Sequence, residues 1–288
     1  MPIPTELLHA FIAGRVIPYV GPGALTLDPQ CPLPATPEDL AARLTAKVTV
    51  PHKIRTNLTA AAQFIENFKH RKTVSVVMTE VFRSPATPTD LHRRLAATKG
   101  LPLIVHAWYD DLFSQALRTR VDWGLVQGVS QAEHFGTWTH AFRHDGSPAD
   151  NSEVNQWPTL LYEPIGSVQP ASNFLVSDSD FVEVLTEIDI QTPVPARVQE
   201  LRRDRHFLFL GCRFKTQIER TFARQIMKRS ADKHWAVLPQ DMTRNEARFV
   251  AEQHIEPLVM DLSVFTAQFW ATAPSLKPIS SEIPHKVS

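Results

Sequence analysis

Residues 206–214 read His206-Phe-Leu-Phe-Leu-Gly-Cys-Arg-Phe214. Five almost wholly apolar residues ended by a glycine are too short for a helix, and they suit a strand buried on both faces of a parallel sheet. Val16-Ile-Pro-Tyr-Val20, ended by Gly21-Pro-Gly23, repeats the pattern, although Pro18 cannot donate to a ladder. Working outward, Leu101-Pro-Leu-Ile-Val105, Thr159 to Tyr162, Asn173 to Val176, 234–238 and 257–260 read as further strands. Helical periodicity fills the gaps at about 57–69, 73–83, 88–98, 215–229 and 242–253, and Thr36-Pro-Glu-Asp39 opens a helix with a cap, a proline and early acids. The alternation predicts an α/β fold, a Rossmann-like open parallel sheet flanked by helices. One domain is expected over 1–272, with a largely irregular insertion at 119–157 containing a short hairpin, and a flexible tail at 273–288.

Composition narrows the function classes. Thirty basic residues balance thirty acidic ones, so no net field recruits nucleic acid or an anionic membrane. Two cysteines in 288 residues exclude a disulfide framework and a zinc site of three or four thiolates. No run approaches the roughly 18 apolar residues of a membrane span, and the expected location is the cytoplasm. Ten glycines and 23 prolines exclude fibrous and flexible-linker classes.

Ligands of open parallel sheets bind beyond the carboxyl ends of the strands. The residues there are Gly21-Pro-Gly23-Ala24, His106 to Asp111, Glu163 to Ser167 and Gly211-Cys-Arg-Phe214, and three of these four turns hold four of the ten glycines. Gly-Pro-Gly by itself is short of a dinucleotide fingerprint, since Thr26 stands where a third glycine would fall. Pro22 also removes one backbone donor from the turn.

In order, however, the set resembles the bacterial sirtuin-like domain family along nearly the whole chain. Val16-Ile-Pro-Tyr-Val-Gly-Pro-Gly23 is similar to its opening strand and Gly-Ala-Gly loop. Ile104-Val-His-Ala-Trp-Tyr-Asp-Asp-Leu112 stands at its Thr-Thr-Asn-Tyr-Asp, Leu161-Tyr-Glu-Pro-Ile-Gly-Ser167 at its Tyr-Lys-x-His-Gly-Ser, and Phe207 to Phe214 at its Phe-Leu-Gly-Tyr-Ser-Phe turn. The resemblance implies NAD as ligand, and a nucleotide site drawn from Gly21, Gly23, Ala24, Trp108, Tyr109, Asp110, Gly166, Ser167, Gly211, Cys212 and Arg213. It also implies a catalytic departure. The family's Asn position is Trp108, whose indole only donates, and its general-base His position is Ile165, which accepts no proton. Deacylation is the least expected family activity, because the cysteines for a zinc module are missing.

His106 and Asp110 are candidate replacement groups, a base and its orienter if the turn is extended and they share a face; the alternative is a polar strand end satisfied by backbone and water. Glu163 would make the pocket rim acidic unless Arg213 compensates. Trp108 either stacks on a ligand ring or plugs the pocket. No metal site is expected: His140, His144 and Asp145 have ligand spacing only on a helix, which Gly136, Gly146 and Pro148 oppose. Arg220, Arg224 and Lys228 form a basic stripe opposite Ile218, Phe222 and Ile226, the pattern of an amphipathic surface helix. Three readings stand: a sensor that binds NAD or an ADP-ribose-type nucleotide without cleaving it and signals to a protein partner through 119–157, an NAD glycohydrolase of the antiphage-defence type using replacement groups, and a plugged scaffold for protein contacts.

Overall fold

The computed structural model describes residues 2–187 and 193–273; the tail expected beyond them, 274–288, lies outside the described residues. The chain begins with α1 (Thr5–Ile12), which buries Leu7, Leu8 and Phe11, and β1 (Val16–Val20). A helical run follows: α2 (Pro37–Lys47), α3 (Leu58–Lys69), α4 (Arg71–Phe82) and α5 (Asp90–Ala97). Side chains that accept a backbone N–H from the first turn start two of them, Thr36 for α2 and Asn57 for α3. Next come β2 (Leu103–His106), α6 (Leu112–Ala116), β3 (Trp123–Gly128), β4 (Thr139–Arg143), β5 (Pro148–Ala149), α7 (Asn151–Val154) and β6 (Thr159–Glu163). β7 (Gly166–Ser167) and β8 (Asn173–Phe174) form a small separate pair. The last part holds α8 (Asp178–Glu187), α9 (Ala196–Leu201), β9 (His206–Leu210), α10 (Gln217–Met227), β10 (His234–Leu238), α11 (Arg244–Glu252), β11 (Ile255–Val259) and α12 (Leu262–Thr272).

The main sheet runs β11-β10-β9-β1-β2-β6-β3-β4-β5. It is parallel from β11 to β3, and only β4 and β5 at one edge are antiparallel. The fold is therefore the α/β Rossmann-like class that the apolar strands predict. From β1 the chain builds outward on one side through β2 and returns on the other through β9, which makes the β1/β9 boundary the switch point of strand order.

Pro18 sits in the middle of this sheet, and backbone parity explains why it is tolerated. The Gly21 N–H bonds Leu210 O on the β9 side, while Val20 O accepts from Ala107 N on the β2 side. Pro18 shares the parity of Val20, so its missing donor would have faced β2, where the pairing starts only at Tyr19.

Residues 119–157 depart from the expected irregular insertion. They supply the hairpin, but its first strand, β3, is buried throughout and pairs with β6 inside the parallel sheet. Two layers cover the sheet. One face packs Ile17, Tyr19, Leu103, Val105, Phe207 and Phe209 against α2, α3, α4, α8 and α10. The other packs Val16, Val20, Ile104, Leu208 and Leu210 against α1, α5 and α12.

Candidate functional site

A cleft of about 570 Å³ opens on the first face, at the carboxyl ends of β1, β2 and β9. Its floor is Gly21-Pro-Gly23 and Gly211 to Phe214, joined by Gly23 N–H to Gly211 O at 2.9 Å. Its walls are the starts of helices: Thr36 to Glu38 at α2, Asn57 to Thr59 at α3, Asp178 at α8 and Thr216 to Glu219 at α10. Apolar side chains, among them Leu58, Phe181, Phe214 and Phe222, close the remainder.

The expected loop donors are already engaged. Gly21 N–H goes to Leu210 O, Gly23 N–H to Gly211 O and Ala24 N–H to Gly21 O, while Pro22 has none. The glycine loop is thus a close-packed floor rather than a phosphate cradle. The helix ends supply what the loop does not. Each helix begins with N–H groups that lack an acceptor in their own helix, and each carries roughly half a positive charge there. Thr36, Asn57 and Thr216 take the N–H of Asp39, Ala60 and Glu219 respectively, leaving earlier N–H groups of those turns for a ligand.

Of the sequence-derived site residues, Gly21, Gly23, Trp108, Tyr109, Gly211, Cys212 and Arg213 line the cleft, and so does Ile165. Ala24 is buried against the second core. Gly166 and Ser167 lie outside the wall in β7, where the Ser167 hydroxyl donates to Asp110 O at 3.0 Å. Trp108 does not plug the cleft, which stays open beside it: its indole N–H donates to Pro34 O at 2.9 Å, its ring meets Phe82 edge-on, and 3% of its surface is exposed. Arg213 is committed to Glu246 at 2.7 and 2.9 Å and to Asp241 at 3.2 Å. The Cys212 thiol, pushed up by burial, stays protonated and is no nucleophile.

The proposed replacement pair, His106 with Asp110, is absent from the cleft. β2 ends at His106, which shares the parity of Ile104 and packs on Phe113 and His92 on the opposite face. Glu163 corrects the expected acidic rim in the same way, being wholly buried with its Oε1 3.6 Å from His106 Nδ1. The group forms a closed polar cluster. Burial opposes charge on His106, but Asp110 and Glu163 outweigh it and raise the imidazole to about 10. Burial lifts Glu163 to about 7 and lowers His92 to about 4.

Sequence reading missed Thr56 to Thr59 and Asp178 on the cleft wall. The sequence places the start of a helix near Asn57, but nothing in it aims that segment and Asp178 at one cavity. His140 and His144 do not come together on a helix: His140 lies on β4 beside the His134 ring, and His144 is in the following turn.

The SIR2-like domain family matches residues 102–258, more than half of the chain and the span that carries β2 through β11. The chain belongs to the SIR2-like domain family. Membership ties it to NAD-related function at the level of the family. No curated protein matches the chain. No helix among the described residues is long and apolar enough to cross a membrane.

Proposed function

We propose that this SIR2-like chain binds NAD or an ADP-ribose-type nucleotide in the cleft without cleaving it, and signals its occupancy to a protein partner. The observation that carries the binding is the convergence of four helix starts on one cavity at the switch point. That arrangement suits an anionic ligand, and its size falls in the usual 300–1,000 Å³ range for small-molecule sites. The lack of cleavage rests on position: Ile165 occupies the wall where the family's base is expected, and the nearby imidazole His106 faces away.

A connected set of contacts supports the signalling part. α8 begins at the cleft with Asp178, and Asp180 two residues on is paired with Arg71 at 2.7 Å and accepts from Ser130 Oγ at 2.5 Å. Glu133 lies 3.7 Å from Arg71 and accepts from Ser75 and Asn173. The loop so anchored carries Phe135, 96% exposed, a side chain suited to a protein partner.

The test is paired. Melting temperature is measured with and without millimolar NAD and ADP-ribose, and nicotinamide release is followed on the same samples. A rise in melting temperature without release is expected. Sustained release overturns the proposal in favour of a glycohydrolase, for which Asp178 is then the first residue to replace. No shift with either ligand leaves a scaffold.

A further inference from the structure

The polar cluster on the face away from the cleft has the composition of a metal site. His92 on α5, His106 at the end of β2 and Asp110 before α6 are each 1% exposed. One ligating atom from each lies within 4.8 Å of the others. His106 Nε2 and Asp110 Oδ2 are 3.4 Å apart, about the separation of two ligands on a tetrahedral zinc with bonds of roughly 2.0–2.2 Å.

The supporting shell is in place as well. Asp110 Oδ1 accepts the Leu112 N–H at 3.1 Å, whereas Oδ2, buried and aimed at the imidazole, has no hydrogen-bond partner. His92 Nδ1 is paired with Thr89 Oγ1 at 2.7 Å, so Nε2 is the nitrogen that would ligate. His106 Nδ1 faces Glu163 at 3.6 Å, too long for a hydrogen bond, and neither Glu163 oxygen has a partner. Ligating histidines are commonly oriented in this way, with an oxygen at the second nitrogen. Two carboxylates also sit here in apolar surroundings that include Phe113, and a divalent cation would take the place of the proton that His106 otherwise holds between them.

We propose that His92, His106 and Asp110 bind one divalent transition-metal ion of the zinc class, with Glu163 orienting His106. Two histidines and a carboxylate also make open iron sites, but those keep positions for oxygen and substrate, and burial of all three ligands denies that access. The three protein groups leave the fourth tetrahedral position to one enclosed water, and their burial makes the ion's role structural. It draws the widest ligand pair inward and ties α5 to the end of β2, and so to the turn that presents Trp108 to the cleft.

The experiment uses the full chain, expressed with added zinc and dialysed against metal-free buffer. Elemental analysis is expected to give one zinc per chain. A strong chelator should remove it and lower the melting temperature by several degrees, and added Zn²⁺ should restore both. Co²⁺ loaded in its place should give the visible band of a tetrahedral nitrogen–oxygen site, without the intense near-ultraviolet absorption of thiolate ligation. His92→Gln and Asp110→Asn should each abolish stoichiometric binding, while Cys31→Ser, which removes no proposed ligand, should keep it. Protein that holds only traces of metal, takes up no Co²⁺ and melts identically with chelator overturns the proposal, as does stoichiometric binding that survives Asp110→Asn. If the variants do not fold, the wild-type cobalt spectrum and chelator response decide alone.

Discussion

Replacing Gly211 by alanine tests whether the cleft floor depends on the contact between its two glycine turns. Gly211 has φ +66°, and a Cβ there would stand 2.4 Å from Ala24 N and 2.8 Å from Gly23 C. The left-handed conformation alone costs an L-residue about 1–2 kcal/mol. Relieving the contact requires the turns to part, which removes the Gly23 N–H to Gly211 O bond and adds about 1 kcal/mol or more. The sum is about 2–4 kcal/mol. Gly100→Ala is the matched control, since Gly100 has φ +85° with nothing within 4 Å of the new Cβ. It carries the backbone cost without the collision. For a domain of this size each kcal/mol lowers the melting temperature by about 2–4 °C. Gly211→Ala should therefore melt about 2–8 °C below Gly100→Ala in differential scanning fluorimetry, and it should lose the nucleotide-induced shift that Gly100→Ala retains. Equal melting of the two variants would show that the turns do not support each other, and the account of the floor would fail.

The double substitution Trp108→Asn with Ile165→His should create measurable nicotinamide release; a well-folded, inert variant would count against placing these residues at the family's catalytic positions. Arg71→Met strips the buried Asp180 of its ion pair and of the neighbour bonded to Phe174 O, so urea unfolding should show a loss of about 3–5 kcal/mol, partly recovered by adding Asp180→Asn. Two groups should each contribute stability that is lost on acidification. Burial holds His234 at about 4, so the unfolded chain takes up the proton first, and that contribution, complete above about 6.5, is lost as pH falls toward 4. Glu246, whose burial is outweighed by Arg213 and by backbone N–H groups, is held at about 2; its contribution, complete above about 4.5, is lost as pH falls toward 2. Compared with the parent chain, His234→Gln should lose less stability between about pH 6.5 and 4, and Glu246→Gln less between about 4.5 and 2, in unfolding curves taken across pH.

The strands flanking the switch point were legible because buried parallel strands leave uninterrupted apolar runs, as in Phe207 to Leu210. Helix starts were legible where a cap and early acids coincide, as at Thr36. β3 was not. Trp123-Gly-Leu-Val-Gln-Gly128 reads as loop because it carries two glycines, yet Gly124 is needed beneath the Trp157 ring, which would meet a Cβ at 2.3 Å. His106 and Asp110 do come together, 3.4 Å apart, but strand alternation ends with β2, and the turn after it sends Trp108 into the cleft layer while Asp110 stays with His106 on the other side. The walls at Asn57 and Asp178 come from distant segments, and only tertiary packing brings them to the cavity.

The place of β1 between β2 and β9 has a consequence for biosynthesis. His206 follows Val16 by 190 positions, so at about 5–20 residues per second a ribosome takes roughly 10–40 s to deliver the partner of that edge. Throughout that interval Ile17, Tyr19 and Gly21 offer unpaired N–H and C=O groups on an apolar strand, and Pro18 guards the other side. A nascent chain in this state is a template for faulty pairing. A gene truncated anywhere before codon 206 should therefore yield insoluble product.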